Sequence, residues 1–301
     1  ELDITKIYSI VKEVGCAIVA QTSEIVPADK RLYAIRDVTG TVPSIPLITA
    51  SIMSKKLAES LDTLILDVKV GKAAFMKQID EAKKLASAMI DTGKNAGVST
   101  IAVLTEMNNP LGKTIGNSLE IEESIEILLG KGPKDLVELI ITQATLILAQ
   151  TKLFSNEAEA KENVITSIKN GKAGAKFLSM IRAQGAKYDT LEEVLSKLPK
   201  SKRITTIKSR EGGYLSEINA LKLGQFAVSL GAGRNTPKEK INHAVGFRLL
   251  VQQGDKIQSN EPLIEVHHEE ELTGLDDIIS FFKLNQKRSL ETNEKILEII
   301  D

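Results

Sequence analysis

Residues 63–105 read TLILDVKVGKAAFMKQIDEAKKLASAMIDTGKNAGVSTIAVLT, and the apolar period changes twice within them. Residues 63–70 form a short apolar run that Gly71 ends, and they read as a strand. Apolar side chains then recur at helical spacing over 78–96, and 99–105 return to a strand. Strand, helix and strand at this spacing predict an α/β layer with partly parallel pairing.

Upstream, 3–14 have a capping-type Asp3 or Thr5 followed by apolar residues at helical spacing, which predicts a helix. The run GCAIVAQT, 15–22, follows as a buried strand in which Cys16 packs as a small apolar residue. Helices over 27–40, opened by Pro27 and closed by Gly40, and over 44–61 would make a helical hairpin. Downstream, helices are expected around 119–129 and 133–150, and 157–196 read as helical, polar and peripheral. LPKSKR, 198–203, marks a boundary beyond which glycine becomes denser and short strands should surround a helix at 218–230. The expected fold class is α/β, with a mixed-sheet lobe beginning at 1–26 and continuing over 62–198. Part of a small all-helical lobe would fill 27–61, and an α+β subdomain 199–301.

With 301 residues, 42% hydrophobic and 26% charged, the chain can bury a large core. Its 39 basic and 40 acidic side chains give a net charge of −1, so nothing argues for bulk attraction to nucleic acid. The lone Cys16 excludes an internal disulfide and fits a reducing compartment. Neither a signal peptide nor a membrane-length apolar run is present, so a cytoplasmic protein is the expectation.

Chemistry concentrates in LYAIRDVTGTVPSIPLITASIMSKK, residues 32–56. On a helix Ser51 and Lys55 stand at i and i+4 and share a side, flanked by Ile48 and Ile52, while Arg36 comes from the preceding segment. A guanidinium fork, an ammonium and a hydroxyl converging on one pocket suit a flat ligand with carbonyl oxygens and ring N–H groups, particularly one that becomes anionic. Spacing alone leaves open the bland reading of a solvated helix face. The three histidines, His243, His267 and His268, lack metal-ligand spacing, since neighbours on a strand point to opposite faces. LGAGR, 230–234, reads as a turn, having neither the Walker lysine spacing nor a dinucleotide-binding context.

These residues resemble the thymidine and pyrimidine nucleoside phosphorylase family. GCAIVAQTSEIVPADKRLYAIRDVTGTV (15–42), LDVKVGKAAFM (66–76), TEMNNPLGKTIGNSLEIEES (105–124), LGAGR and AVGF (244–247) follow the family's blocks in order. The resemblance implies reversible phosphorolysis of thymidine or deoxyuridine to the free base and a sugar 1-phosphate. It places Arg36 and Lys55 on the carbonyl edge of the base, as the catalytic cations, and Ser51 on the ring edge. Tyr33, Ile48, Ile52 and Phe75 would line the apolar walls, although ordinary core packing suits those four equally.

It also implies a monovalent cation held by the Glu123 carboxylate and the Leu111 and Thr114 carbonyls, with oxygen ligands suiting a hard ion. Helix capping or an i+4 pair accounts for Glu123 as well. No organic cofactor is implied, inorganic phosphate is the co-substrate, and a homodimer is expected. The intact Arg36, Ser51 and Lys55 pattern argues against the related phosphoribosyltransferase branch. Lys72 departs from the family's usual small residue beside the pocket, and Pro43 from a usual acidic one.

The family's phosphate-binding Lys-His-Ser-Thr-Gly-Gly run does not occur in these 301 residues. The expectation is therefore the C-terminal two-thirds of a longer or cleaved polypeptide, with the N-terminal part supplied on the same or a separate chain. A non-catalytic relative that binds a pyrimidine-like ligand or a protein partner is the alternative. Residues 254–266, GDKIQSNEPLIEV, resemble the hammerhead hairpin of biotinyl and lipoyl carrier domains. Ser259 and Asn260 occupy the tip where a modifiable lysine would sit, so no carrier role is expected.

Overall fold

The computed structural model describes residues 2–19, 28, 29, 32, 35, 44–151, 153–234, 239–288 and 294–301, all but the side chain of Leu275. Its helices in chain order are α1 (Ile4–Val14), α2 (Ile45–Ala58), α3 (Ile79–Asn95), α4 (Asn117–Leu128), α5 (Lys134–Ala149), α6 (Glu157–Lys169), α7 (Lys172–Ala183), α8 (Leu191–Lys197), α9 (Ala220–Ser229) and α10 (Leu275–Ile279). The strands are β1 (Thr63–Val70), β2 (Ser99–Glu106), β3 (Thr114–Ile115), β4 (Arg203–Lys208), β5 (Gly213–Ile218), β6 (Gly246–Leu249), β7 (Lys256–Ile257), β8 (Pro262–His268), β9 (Phe282–Asn285) and β10 (Ile296–Ile300).

The β1–α3–β2 unit forms as its periodicity predicts. β1 and β2 pair in parallel from Thr63↔Ser99 to Val70↔Glu106, and α3 crosses between them, burying Ala82, Leu85, Ala86, Met89 and Ile90. Gly93 is required there because a Cβ would lie 2.0 Å from the Thr100 hydroxyl. The third strand of this sheet is β10, antiparallel to β2, which leaves β2 central and Ile101 to Leu104 fully buried. The chain therefore returns from its far end to complete the first sheet. α2 lies on α3, with Met53 buried in the same core.

Around α1 one expectation changes. Residues 16–19 are not a strand: Gln184 receives the Ile18 N–H at 3.2 Å and donates to its carbonyl at 2.7 Å, so one side-chain amide takes the place of a ladder. Ile18 is exposed and Cys16 is only partly buried. Residues 20–22 of that expected strand lie outside the described ones, as does most of the expected helix over 27–40. The helical stretch after 157 divides into α6, α7 and α8, with Gly171 at φ +78° ending the first.

The strands from β4 to β9, joined by β3 from the first half, make two antiparallel sheets, ordered β3-β6-β8-β4 and β7-β5-β9, around a core of Ile207, Leu215, Leu223, Phe247, Ile264, Ile278 and Phe281. The segment 254–266 is not a hairpin. β7 pairs with β5, whereas β8 pairs with β4 and β6. Backbone bonds of 2.9 Å between Ser209 and both Asn260 and Glu261 fasten the intervening turn to the end of β4 and send the two arms into different sheets.

The halves meet at the loop after β2. The Glu106 carboxylate accepts the backbone N–H groups of Asn108 and Asn109 and a bond of 2.8 Å from the Lys295 ammonium, which also donates to the Pro110 carbonyl at 3.1 Å. Asn109 in turn accepts the Ile218 N–H at 2.7 Å and donates to Gln253 at 3.1 Å. Lys72 adds an ion pair of 2.8 Å to Glu217 on β5, so it turns toward the C-terminal half. The Lys295 side chain is 5% exposed, and removing one partner of such a buried pair costs about 3–5 kcal/mol. Lys295→Met should lower the unfolding free energy by that amount, read as a lower urea midpoint at unchanged slope, and Lys295→Met with Glu106→Gln should recover part of it. A loss below about 1 kcal/mol would show the pair to be dispensable.

Candidate functional site

α2 begins with Pro46 in its first turn, where a missing N–H costs nothing, and ends with Lys55 and Lys56 near its C-terminal carbonyls. Ile48 and Ile52 pack against the core shared by β1 and α3. The neighbouring face carries buried Ser51 and, one turn on, Lys55. The Lys55 ammonium donates 3.1 Å to the Ser51 hydroxyl, so the two side chains meet as the i, i+4 spacing predicts. It also lies 2.6 Å from the carboxylate of Asp29, whose side chain is 10% exposed against 29% for Lys55. Asp29, 26 residues away, is the group that sequence reading missed. A carboxylate among PADKRLYAIRD carries no spacing relation to a lysine on another element.

Arg36 and Tyr33 lie outside the described residues. Phe75 is 64% exposed on the loop after β1, while the N–H of Gly71, at its start, donates to the Met76 carbonyl at 3.0 Å. Thr49, also on α2, is buried with a hydroxyl that has no partner among the described residues.

A second cluster surrounds the turn at Gly112. Buried Glu123, on α4, accepts the Lys113 N–H at 2.8 Å and the Thr114 hydroxyl at 3.0 Å. Asp135 accepts the Gly112 N–H at 3.2 Å. Gly112 has φ +70°, and a Cβ there would come 2.5 Å from the Glu123 carboxylate. Burial pushes the Glu123 carboxyl above its ordinary range, and Asp135 adds to the rise, while the bonds from Lys113 and Thr114 oppose it. Both Glu123 oxygens are thus engaged by protein donors, on the turn that also carries Leu111 and Thr114. The described residues contain no group of three or more His, Cys, Asp and Glu side chains able to hold a metal.

The two adjacent histidines separate as alternation requires. His268 is buried between the Thr205 hydroxyl at 2.8 Å and the Glu270 carbonyl at 2.6 Å. His267 borders a cleft of about 550 Å³ beside Arg248, Glu265, Glu122 and Ser201. Its pKa is lowered, first by burial and then by the Arg248 charge. No described helix is long and apolar enough to cross a membrane.

Comparison with known proteins adds two family matches. Residues 1–174 match the glycosyl transferase family a/b domain, and residues 214–280 match the pyrimidine nucleoside phosphorylase C-terminal domain. A pyrimidine-nucleoside phosphorylase of Staphylococcus aureus (strain USA300) is 40% identical over 279 residues, covering 93% of this chain and 64% of that protein. One from Staphylococcus epidermidis is 39% identical over 292 residues, covering 97% of this chain and 66% of its own length. The chain thus spans slightly under two-thirds of the length of these relatives.

The Glu123 pKa fixes a sign for stability against pH. Its folded value lies above 4.5, so the favourable contribution of the neutral form is complete below pH 4.5 and is lost as pH rises through the folded value. Thermal melts from pH 4.5 upward should show the parent chain losing stability relative to Glu123→Gln. Parallel pH curves for the two proteins would contradict the assignment.

Proposed function

Because the chain belongs to the pyrimidine nucleoside phosphorylase family, we propose that it provides the base-binding side of a reversible phosphorolysis of thymidine or deoxyuridine. The observation that carries this reading is the meeting of Lys55 and Ser51 on one face of α2, where the ammonium donates to the hydroxyl. In the reaction a phosphate oxygen bonds to the anomeric carbon as the bond from that carbon to the ring nitrogen breaks. The electron pair leaves with the base. Its negative charge is small in the ground state and large in the transition state, so a cation fixed beside the ring stabilises the latter selectively.

In this reading Arg36 and Lys55 hold the carbonyl edge and Ser51 the ring edge. Ile48, Ile52 and Tyr33 back the ring, and Phe75 has exposed apolar surface to offer it. Glu123, with the Leu111 and Thr114 carbonyls, would hold a monovalent cation that stiffens the turn at Gly112. Phosphate serves as co-substrate, no organic cofactor is needed, and the enzyme would act as a cytoplasmic homodimer.

The test is thymine release from thymidine and phosphate. In the whole polypeptide that carries this chain, Lys55→Ala should lower kcat/KM by roughly 100-fold, the effect of losing one preorganised donor, about 3 kcal/mol. A change below threefold would remove Lys55 from the reaction. The 301 residues alone should release no thymine, whereas turnover by them would place a phosphate site within this chain.

A further inference from the structure

We propose that Asp29 is a positioning residue for Lys55, and that it aims one ammonium donor, beside the Ser51 hydroxyl, at the departing base. This inference rests on the base-binding reading above and names a residue that reading does not use. An ammonium has three N–H donors in tetrahedral directions. One points to Asp29 at 2.6 Å and one to Ser51 at 3.1 Å, and among the described residues the third has no partner. The Ser51 oxygen, occupied by the Lys55 proton on one side, turns its own hydrogen away from the ammonium. Two donors are thereby left, one from each residue. Both suit the carbonyl oxygen that gathers the charge of the departing base, and the second lone pair of Ser51 remains able to accept a ring N–H.

Two consequences of the Asp29 carboxylate oppose each other. Its charge screens the ammonium and so weakens attraction for an anion. Its geometry fixes the end of a flexible four-carbon stem that is part-exposed and would otherwise sample many rotamers. The depth of Asp29 decides between them: a buried acceptor held this close to the ammonium fixes its direction before the base arrives, and catalysis by a preorganised donor requires that order.

Kinetics of the whole polypeptide separate position from charge. Asp29→Asn keeps an oxygen that can accept from the ammonium, whereas Asp29→Ala keeps neither oxygen nor charge. Asp29→Ala should lower kcat at least about tenfold, as loss of a charge-assisted hydrogen bond does, with Asp29→Asn within about threefold of the parent. The Asp29→Ala deficit should shrink with 5-fluoro-2′-deoxyuridine, whose base leaves more readily as an anion and needs less stabilisation. In a Lys55→Ala background the same change should cost no more than about twofold, because its effect runs through Lys55.

Equal losses for Asn and Ala, an undiminished Ala deficit in the Lys55→Ala background, or no loss in either variant would each overturn the inference. If Lys55→Ala itself leaves turnover intact, the base-binding reading has failed, and that result is distinct from failure at Asp29 alone. Should Asp29→Ala not fold, Asp29→Ser, whose shorter side chain withdraws the acceptor from the ammonium, takes its place in each comparison. An Asn loss beyond tenfold would then reject positioning in favour of charge.

Discussion

A single carboxylate, that of Glu106, sets the relation between the two halves of this chain. It ends β2 by accepting two successive backbone N–H groups, and it holds a buried ammonium from the segment leading into β10. Burying Lys295 would be prohibitive without that partner and the Pro110 carbonyl. With both present, the loop 106–112 is held from three sides. Asn108 and Asn109 can then reach the Lys72 and Ile218 N–H groups across the junction, and the turn at Gly112 meets Glu123. The first sheet, the C-terminal core and the Glu123 cluster are thus placed by one local network.

Packed on α3, α2 shows how surroundings set the direction of a lysine side chain. Lys56, one residue from Lys55, pairs with Glu59 three positions away at the exposed end of the same helix, an arrangement worth a few tenths of a kcal/mol. Lys55 meets a buried carboxylate and a buried hydroxyl, so its direction is fixed by groups that cannot follow solvent. Composition does not distinguish the two residues. Their chemistry differs because Ile48 and Ile52 anchor α2 to the core and turn the face bearing Ser51 and Lys55 toward Asp29.

The elements that sequence predicts well are those whose information is local. The β1–α3–β2 unit, α4, α5 and α9 follow from apolar period and turn residues, and the Ser51–Lys55 contact follows from helical spacing. Long-range choices were hidden. β10 joins β2 across almost 200 residues, and its sequence, ILEII, could have paired with any edge. Residues 16–19 have a strand's composition but give up their ladder to Gln184, 166 positions on. The 254–266 segment alternates as a hairpin should, yet contacts with Ser209 divide it between two sheets. At the candidate site, Asp29 lies on a different element from Lys55, so no spacing rule joins them.

The central claim is that the donors of Lys55 and Ser51 face a pyrimidine. The most direct measurement is a crystal structure of the whole polypeptide carrying this chain with thymine and phosphate bound. The account predicts carbonyl oxygen or ring nitrogen atoms of thymine about 3 Å from both the Lys55 ammonium and the Ser51 hydroxyl, with the Asp29 contact retained. Thymine seated elsewhere, with Lys55 engaged by Asp29 and Ser51 alone, would contradict it.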